Sequence, residues 1–173
     1  MRRFSAFGAV ARLFACALAL SVAAGVGLSS LSPARAEDAS EAAPLEKLTL
    51  VVDAKGGHPV DHVLQVEVMR DEAGRERGLM FRRYLPADRG MLFDFGMEHS
   101  VLMWMKNTYI PLDMIFFSRA GVVTHIAENA EPLSEAIISS EGPAYGVLEV
   151  NAGYARKIGL KIGDLVRHPM FAR

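Results

Sequence analysis

Apolar and polar positions along the chain alternate in short blocks, and the period of each block names its element. In "HVLQVEVM" (62–69), Leu64, Val66 and Val68 alternate with Gln65 and Glu67, the pattern of a strand with one wet face. "LTLVV" (48–52) is a second short run rich in β-branched residues, and Gly56 and Gly57 between the two supply a turn. "GMLFDFG" (90–96) and "VLMWM" (101–105) are apolar runs of strand length, which predicts two buried strands. "LDMIFF" (112–117) puts Asp113, Ile115 and Phe117 on one face and Leu112, Met114 and Phe116 on the other. Ser118 to Gly121 then reads as a hairpin turn into "VVTHIAE" (122–128). "YGVLEVN" (145–151) is a further strand, in which Tyr145, Val147, Glu149 and Asn151 share a face, and "LKIGDLVRH" (160–168) is a turn into a last one.

The helical signals are brief. Asp71 can cap a helix through "RDEAGRERGLM" that ends at Gly78, although Gly74 within it costs about 1 kcal/mol of propensity. "AGYARKIG" (152–159) is a second short helix, closed by Gly159. The Ser-, Glu- and Pro-rich stretch 130–143 reads as a loop. These elements predict an α+β, mainly β domain: a small curled or barrel-like antiparallel sheet with two short helices, since curling hides exposed strand edges.

The first 36 residues follow different rules. Arg2, Arg3 and Arg12 precede and flank an apolar run from 13 to 31, and Ala34, Arg35 and Ala36 give the small-x-small pattern of a signal-peptide cleavage site. The expected organisation is a leader at 1–36, a flexible Ala- and acid-rich lead-in at 37–47, and one domain at 48–173. The product would be periplasmic or secreted; an uncleaved leader would instead anchor it to the inner membrane. Bulky Phe14 before Cys16 fits lipid attachment poorly, and the paired arginines at the extreme start lack the pattern of the twin-arginine route.

Removing the leader changes the charge. Four of the 19 basic residues and none of the 20 acidic ones lie in it, so the remainder carries 15 against 20, a net charge of −5. That balance argues against a nucleic-acid surface, and no membrane partner is expected after cleavage. Cys16, the single cysteine, leaves with the leader, so stability must come from a packed core without disulfides.

Five blocks carry a resemblance: "ERGLMFR" (76–82), "LPADRGMLFDF" (85–95), "MWMKNTYIPLDMIF" (103–116), "YGVLEVNAG" (145–153) and "GLKIGD" (159–164). In this order and spacing the chain resembles the bacterial family called domain of unknown function 192 from about Leu48 onward. The resemblance implies a compact β-rich domain, often exported, with no established activity. "GLKIGD" is also similar to the Gly-Asp turn of small cradle-like β-barrels.

Candidate chemistry centres on Asp113. An ionised carboxylate in an apolar strand needs a cation or several donors, and Lys106 or Arg77 is the expected partner, with Asn107 and Thr108 tying down the corner before Pro111. If the strands bearing Asp113 and Glu149 are neighbours, the two carboxylates could meet, and such a pair can do acid–base work, hold a hard cation or bind a sugar. The expected site is thus Arg77, Lys106, Asn107, Asp113, Glu149 and Asn151, in a binding or accessory module for a small molecule, glycan or protein, with no cofactor. A hydrolase using Asp113 and Glu149 is the alternative enzyme. No Gly-x-Ser-x-Gly elbow, phosphate-binding glycine loop or metal-spaced histidine pair supports another. A third reading is a Cu(I) or Ag(I) site from His99, Met103 and Met105 with Trp104 as cover, which requires a twist or bulge because Trp104 alternates with the methionines. On its own Trp104 reads as a core anchor, Arg77, Arg82 and Arg83 as a solvated basic strip, Glu67 as wet-face, and His125 as structural or surface.

Overall fold

The computed structural model describes residues 44–53 and 57–172; the leader, most of the lead-in and Gly56 lie outside them. Seven strands form one sheet: β1 (Leu45–Asp53), β2 (Pro59–Met69), β3 (Arg89–Met103), β4 (Leu112–Phe117), β5 (Val123–Ala130), β6 (Ile138–Asn151) and β7 (Leu165–Arg167). Two short helices, α1 (Glu72–Arg77) and α2 (Tyr154–Ile158), and a closing 3-10 turn at Pro169–Ala172 complete it. Among the described residues no helix is long and apolar enough to cross a membrane.

The strand order is β5-β4-β6-β3-β2-β1-β7. Neighbours are antiparallel except β2 and β3, which run parallel with Gln65 opposite Arg89. The expected all-antiparallel sheet is corrected there: a parallel pair needs a crossover, and the segment 70–88, with α1, provides it. The sheet curls until its two ends touch. An isolated bridge joins Val122 to Leu165, and the Val123 and Val166 amides donate to Asp164 and Gly121 carbonyls at 2.9 and 2.7 Å. The ladder between β5 and β7 is otherwise not continuous, so the barrel is not closed.

Curling gives each face its own core. Inside lie side chains from all seven strands, among them Leu48, Leu64, Leu92, Ile115, Val123, Leu148 and Val166. On the outer face Met91, Phe93, Met114, Phe116 and Val147 are covered by Leu79, Leu85, Met105 and Ile110 from the connecting loops. β4 lies between the two cores and is buried at every position. Gly146 shows how tight the centre is: a Cβ there would sit 2.5 Å from the Phe117 ring and 2.8 Å from the Phe93 carbonyl oxygen.

Local signals hold where one residue decides them. Asp71 caps α1 by accepting from the Gly74 amide at 2.7 Å, and Gly159 closes α2 at φ 73°. Asp164, in the Gly-Asp turn, accepts from Lys161 and Asp53 amides at 2.7 and 3.1 Å and so ties the turn to the end of β1. Three expectations change. The two strands expected at 90–96 and 101–105 are one bent strand, β3, whose register against β6 shifts between Asp94 and His99. The loop expected at 130–143 becomes β6 from Ile138, because the far half of β3 takes its partner there: Met103 faces Ile138 and Leu102 faces Ser139. Finally, β1 starts at Leu45, inside the expected lead-in.

Candidate functional site

Asp113 is fully buried, and its partners are not cations. Its Oδ1 accepts from the Asn129 and Gly153 amides at 2.9 and 3.1 Å, and its Oδ2 from the Ala155 amide at 3.0 Å. Among the described residues it forms no ion pair, so the expected pairing with Lys106 or Arg77 is corrected. Three amides converge because β5 ends and α2 begins beside β4, each leaving N–H groups that the sheet does not use. Asp113 is thus a structural clamp between two chain reversals, with its charge spread over backbone donors.

Glu149 is placed differently. β4 and β6 are neighbours, but Asp113 lies opposite Val150 and Met114 opposite Glu149. Directly opposed residues share a face and successive residues do not, so the two carboxylates project from opposite faces of the sheet. The structure does not bring them together, and the acid–base pair on which a two-carboxylate hydrolase depends does not form.

On the outer face Glu149 lines a cavity of about 370 Å³ with Arg75, Arg77, Phe93, Phe95, His99 and Trp104 among the other lining residues. It is 4 % exposed, and its carboxyl has no hydrogen-bond or ion-pair partner among the described residues. Burial without compensation pushes it up from the ordinary 4.5 to about 8, because the low-polarity surroundings disfavour the charged form. At neutral pH the group is therefore mostly a neutral acid, with one O–H to donate and a carbonyl to accept.

α1 forms one wall and buries none of its own residues. It is latched by Arg75, which sequence reasoning missed: its guanidinium donates to the Arg70 and Asp94 carbonyls at 2.5 and 3.1 Å and lies 5.6 Å from the Phe95 ring centre. Nothing in the sequence separates Arg75 from Arg77, its neighbour two residues on. Arg77 is exposed and makes no ion pair among the described residues.

The remaining expected residues divide between scaffold and surface. Asn151 donates to the Leu85 and Pro86 carbonyls at 2.9 and 3.3 Å, pinning the loop over the outer core. Asn107 adopts φ 55°, and its carbonyl accepts from the Phe81 amide at 2.8 Å. Lys106 is exposed, its ammonium 5.8 Å from the Trp104 ring. Trp104 is 47 % exposed, so the core-anchor expectation is corrected: β3 ends at Met103, and beyond it Trp104 turns outward while Met105 is fully buried. His99, Met103 and Trp104 therefore line the cavity, joined by Met80, whereas Met105 does not. Among the described residues no three His, Cys, Asp or Glu side chains gather as a metal site. In the basic strip Arg82 pairs with Glu67 through two bonds of 2.5 and 2.6 Å, a hydrogen bond that raises its pKa, and Arg83 lies over the Tyr109 ring.

The structure is thus a curled, mainly β domain with one acid, lacking a hydrogen-bond partner among the described residues, facing an outer cavity. The chain belongs to the family DUF192, described as an uncharacterized ACR, whose profile it matches over residues 51–168. Two solved structures agree in fold. One, from Sinorhizobium meliloti 1021 and described as a candidate transcription regulator, is 45% identical, with a TM-score of 0.69 over 75% of this chain and 97% of its own. The other, from Novosphingobium aromaticivorans DSM 12444 and described as a protein of unknown function, is 37% identical, with a TM-score of 0.66 over 72% of this chain and 85% of its own. No curated protein matches the chain.

Proposed function

We propose that this domain is a non-enzymatic binding module, exported to the periplasm or beyond, that takes a small hydroxyl-bearing ligand into the cavity floored by Glu149. One observation carries the reading: a buried carboxyl that lines a cavity and has no partner among the described residues. The carboxyl opens onto the cavity, so a ligand hydroxyl that meets it there gains a hydrogen bond worth about 0.5–1.5 kcal/mol net. A hydroxyl suits it because it both accepts from the neutral acid and donates to its carbonyl. Phe93, Phe95 and Trp104 supply apolar walls for the ligand body. The test is calorimetric titration of wild type and Glu149→Leu, which removes both the donor and the acceptor, with a panel of mono- and disaccharides. Saturable binding to wild type that weakens in the variant is expected; no binding to any member of the panel refutes the reading.

A second reading, a Cu(I) or Ag(I) site, is favoured by one contact. The His99 Nδ1 lies 2.9 Å from the Ser100 carbonyl oxygen, which fixes the Nδ1–H tautomer and leaves Nε2 able to bind a metal beside the Met103 thioether.

A further inference from the structure

The Glu149 cavity does not end at Trp104. A second cavity of about 510 Å³ adjoins it, and the two share Glu76, Arg77, Met80 and Trp104 as common wall. The two cavities thus lie side by side between the buried acid and the corner at 104–107, and a ligand longer than one sugar that bridges them makes one groove of the pair. We infer that this groove holds an acidic oligosaccharide, with one sugar against the exposed Trp104 indole and its carboxylate between Arg77 and Lys106. The inference rests on the hydroxyl-binding reading of the Glu149 cavity and adds the length and charge of the ligand.

Charge decides the class of occupant. The outer cavity is lined by Arg77 and Lys106 against the single acid Glu76. Neither cation has an ion-pair partner among the described residues. Lys106 holds its ammonium over one face of the indole, 5.8 Å from its centre, so a sugar packed against the exposed edge of Trp104 puts a substituent carboxylate near that charge. The apolar component is also exposed: Trp104 is 47 % and Phe81 58 % accessible. Phe81 is held at φ 65° by a hydrogen bond from its amide to the carbonyl of Asn107, itself at φ 55°. The Phe81 ring stands edge-on to Tyr109 with centroids 6.4 Å apart and lines the same cavity as Lys106. A sugar matches both components, since its C–H face packs on aromatic rings while its hydroxyls and carboxylate answer the polar groups. Nucleic acid matches less well, because the residues beyond the leader carry a net charge of −5.

Trp104 is the single tryptophan of the chain, so its emission reports occupancy of the groove directly. The experiment titrates the protein with tetragalacturonate, with maltotetraose as the neutral control and with a short DNA duplex. Tetragalacturonate should shift Trp104 emission saturably and bind more tightly than maltotetraose. Arg77→Gln and Lys106→Gln, both exposed and harmless to folding, should each weaken it about tenfold, the effect of losing one charge-assisted hydrogen bond. Glu149→Leu should weaken both sugars together. Equal affinity for the two tetrasaccharides, or full affinity in both cation variants, overturns the inference while leaving the Glu149 reading in place. Failure of both tetrasaccharides to bind overturns the inference, the Glu149 reading then standing or falling by the mono- and disaccharide panel, and tighter binding to the duplex than to tetragalacturonate overturns the choice of a glycan.

Discussion

Glu149→Gln should make the protein more stable at neutral pH, and the gain should vanish in acid. The carboxyl titrates at about 8 in the folded protein against an ordinary 4.5. Below the lower value both states hold the proton and the group is neutral to stability. Between the two values the folded state keeps a proton that the unfolded state has lost, so each rising pH unit costs about 1.4 kcal/mol of stability. Above the upper value both states are ionised and the loss levels off. At pH 7 the accumulated penalty is on the order of 3 kcal/mol, and a neutral amide of the same shape does not incur it. Urea denaturation at about pH 4, 7 and 9 measures the effect: with a typical slope for a domain of this size, the midpoint of the variant should exceed wild type by roughly 1.5 M at neutral pH. Arg75, Arg77, His99, Glu72 and Glu76 also line the cavity, but they are common to both proteins and cancel in the difference. Parallel pH–stability curves for the two proteins would refute the reasoning. Stability gained in Glu149→Gln, set beside ligand affinity lost in Glu149→Leu, is the signature of a group kept for binding and not for folding.

Asp113→Asn should destabilise the protein by about 2–4 kcal/mol in equilibrium denaturation, because the amide replaces an acceptor of charge-assisted bonds with an N–H₂ facing backbone donors; an unchanged midpoint would remove the clamp. Gly146→Ala should cost about 1–3 kcal/mol or more, since the new methyl meets the Phe117 ring at 2.5 Å, and an unaltered melting temperature would contradict the packing described. For the soft-metal reading, Ag(I) titration should quench Trp104 with submicromolar affinity that Met103→Leu reduces and Met105→Leu does not. Affinity no tighter than micromolar would rule out that reading.

The sequence was most legible where a signal is local. Alternation at 64–68 and 112–117, the Asp71 cap and the Gly159 stop depend on neighbours a few residues away, and each has its element in the structure. What could not be read was long-range. Ser139, Ser140, Gly142 and Pro143 have turn composition, yet the unpaired half of β3 draws them into a central strand, so tertiary pairing overrides local preference. The partners of Asp113 were hidden for a different reason: every residue but proline carries an N–H, and only the fold decides that those of Asn129, Gly153 and Ala155 converge on one carboxylate. The adjacency of the strands bearing Asp113 and Glu149 was within reach of sequence reasoning, but their register was not. Pairing Asp113 with Val150 sends the acids to opposite faces, and a slip of one residue would have put them side by side. That single step of parity separates a two-carboxylate reaction centre from what the chain has instead, one acid satisfied by backbone amides and another facing a cavity on the far side of the sheet.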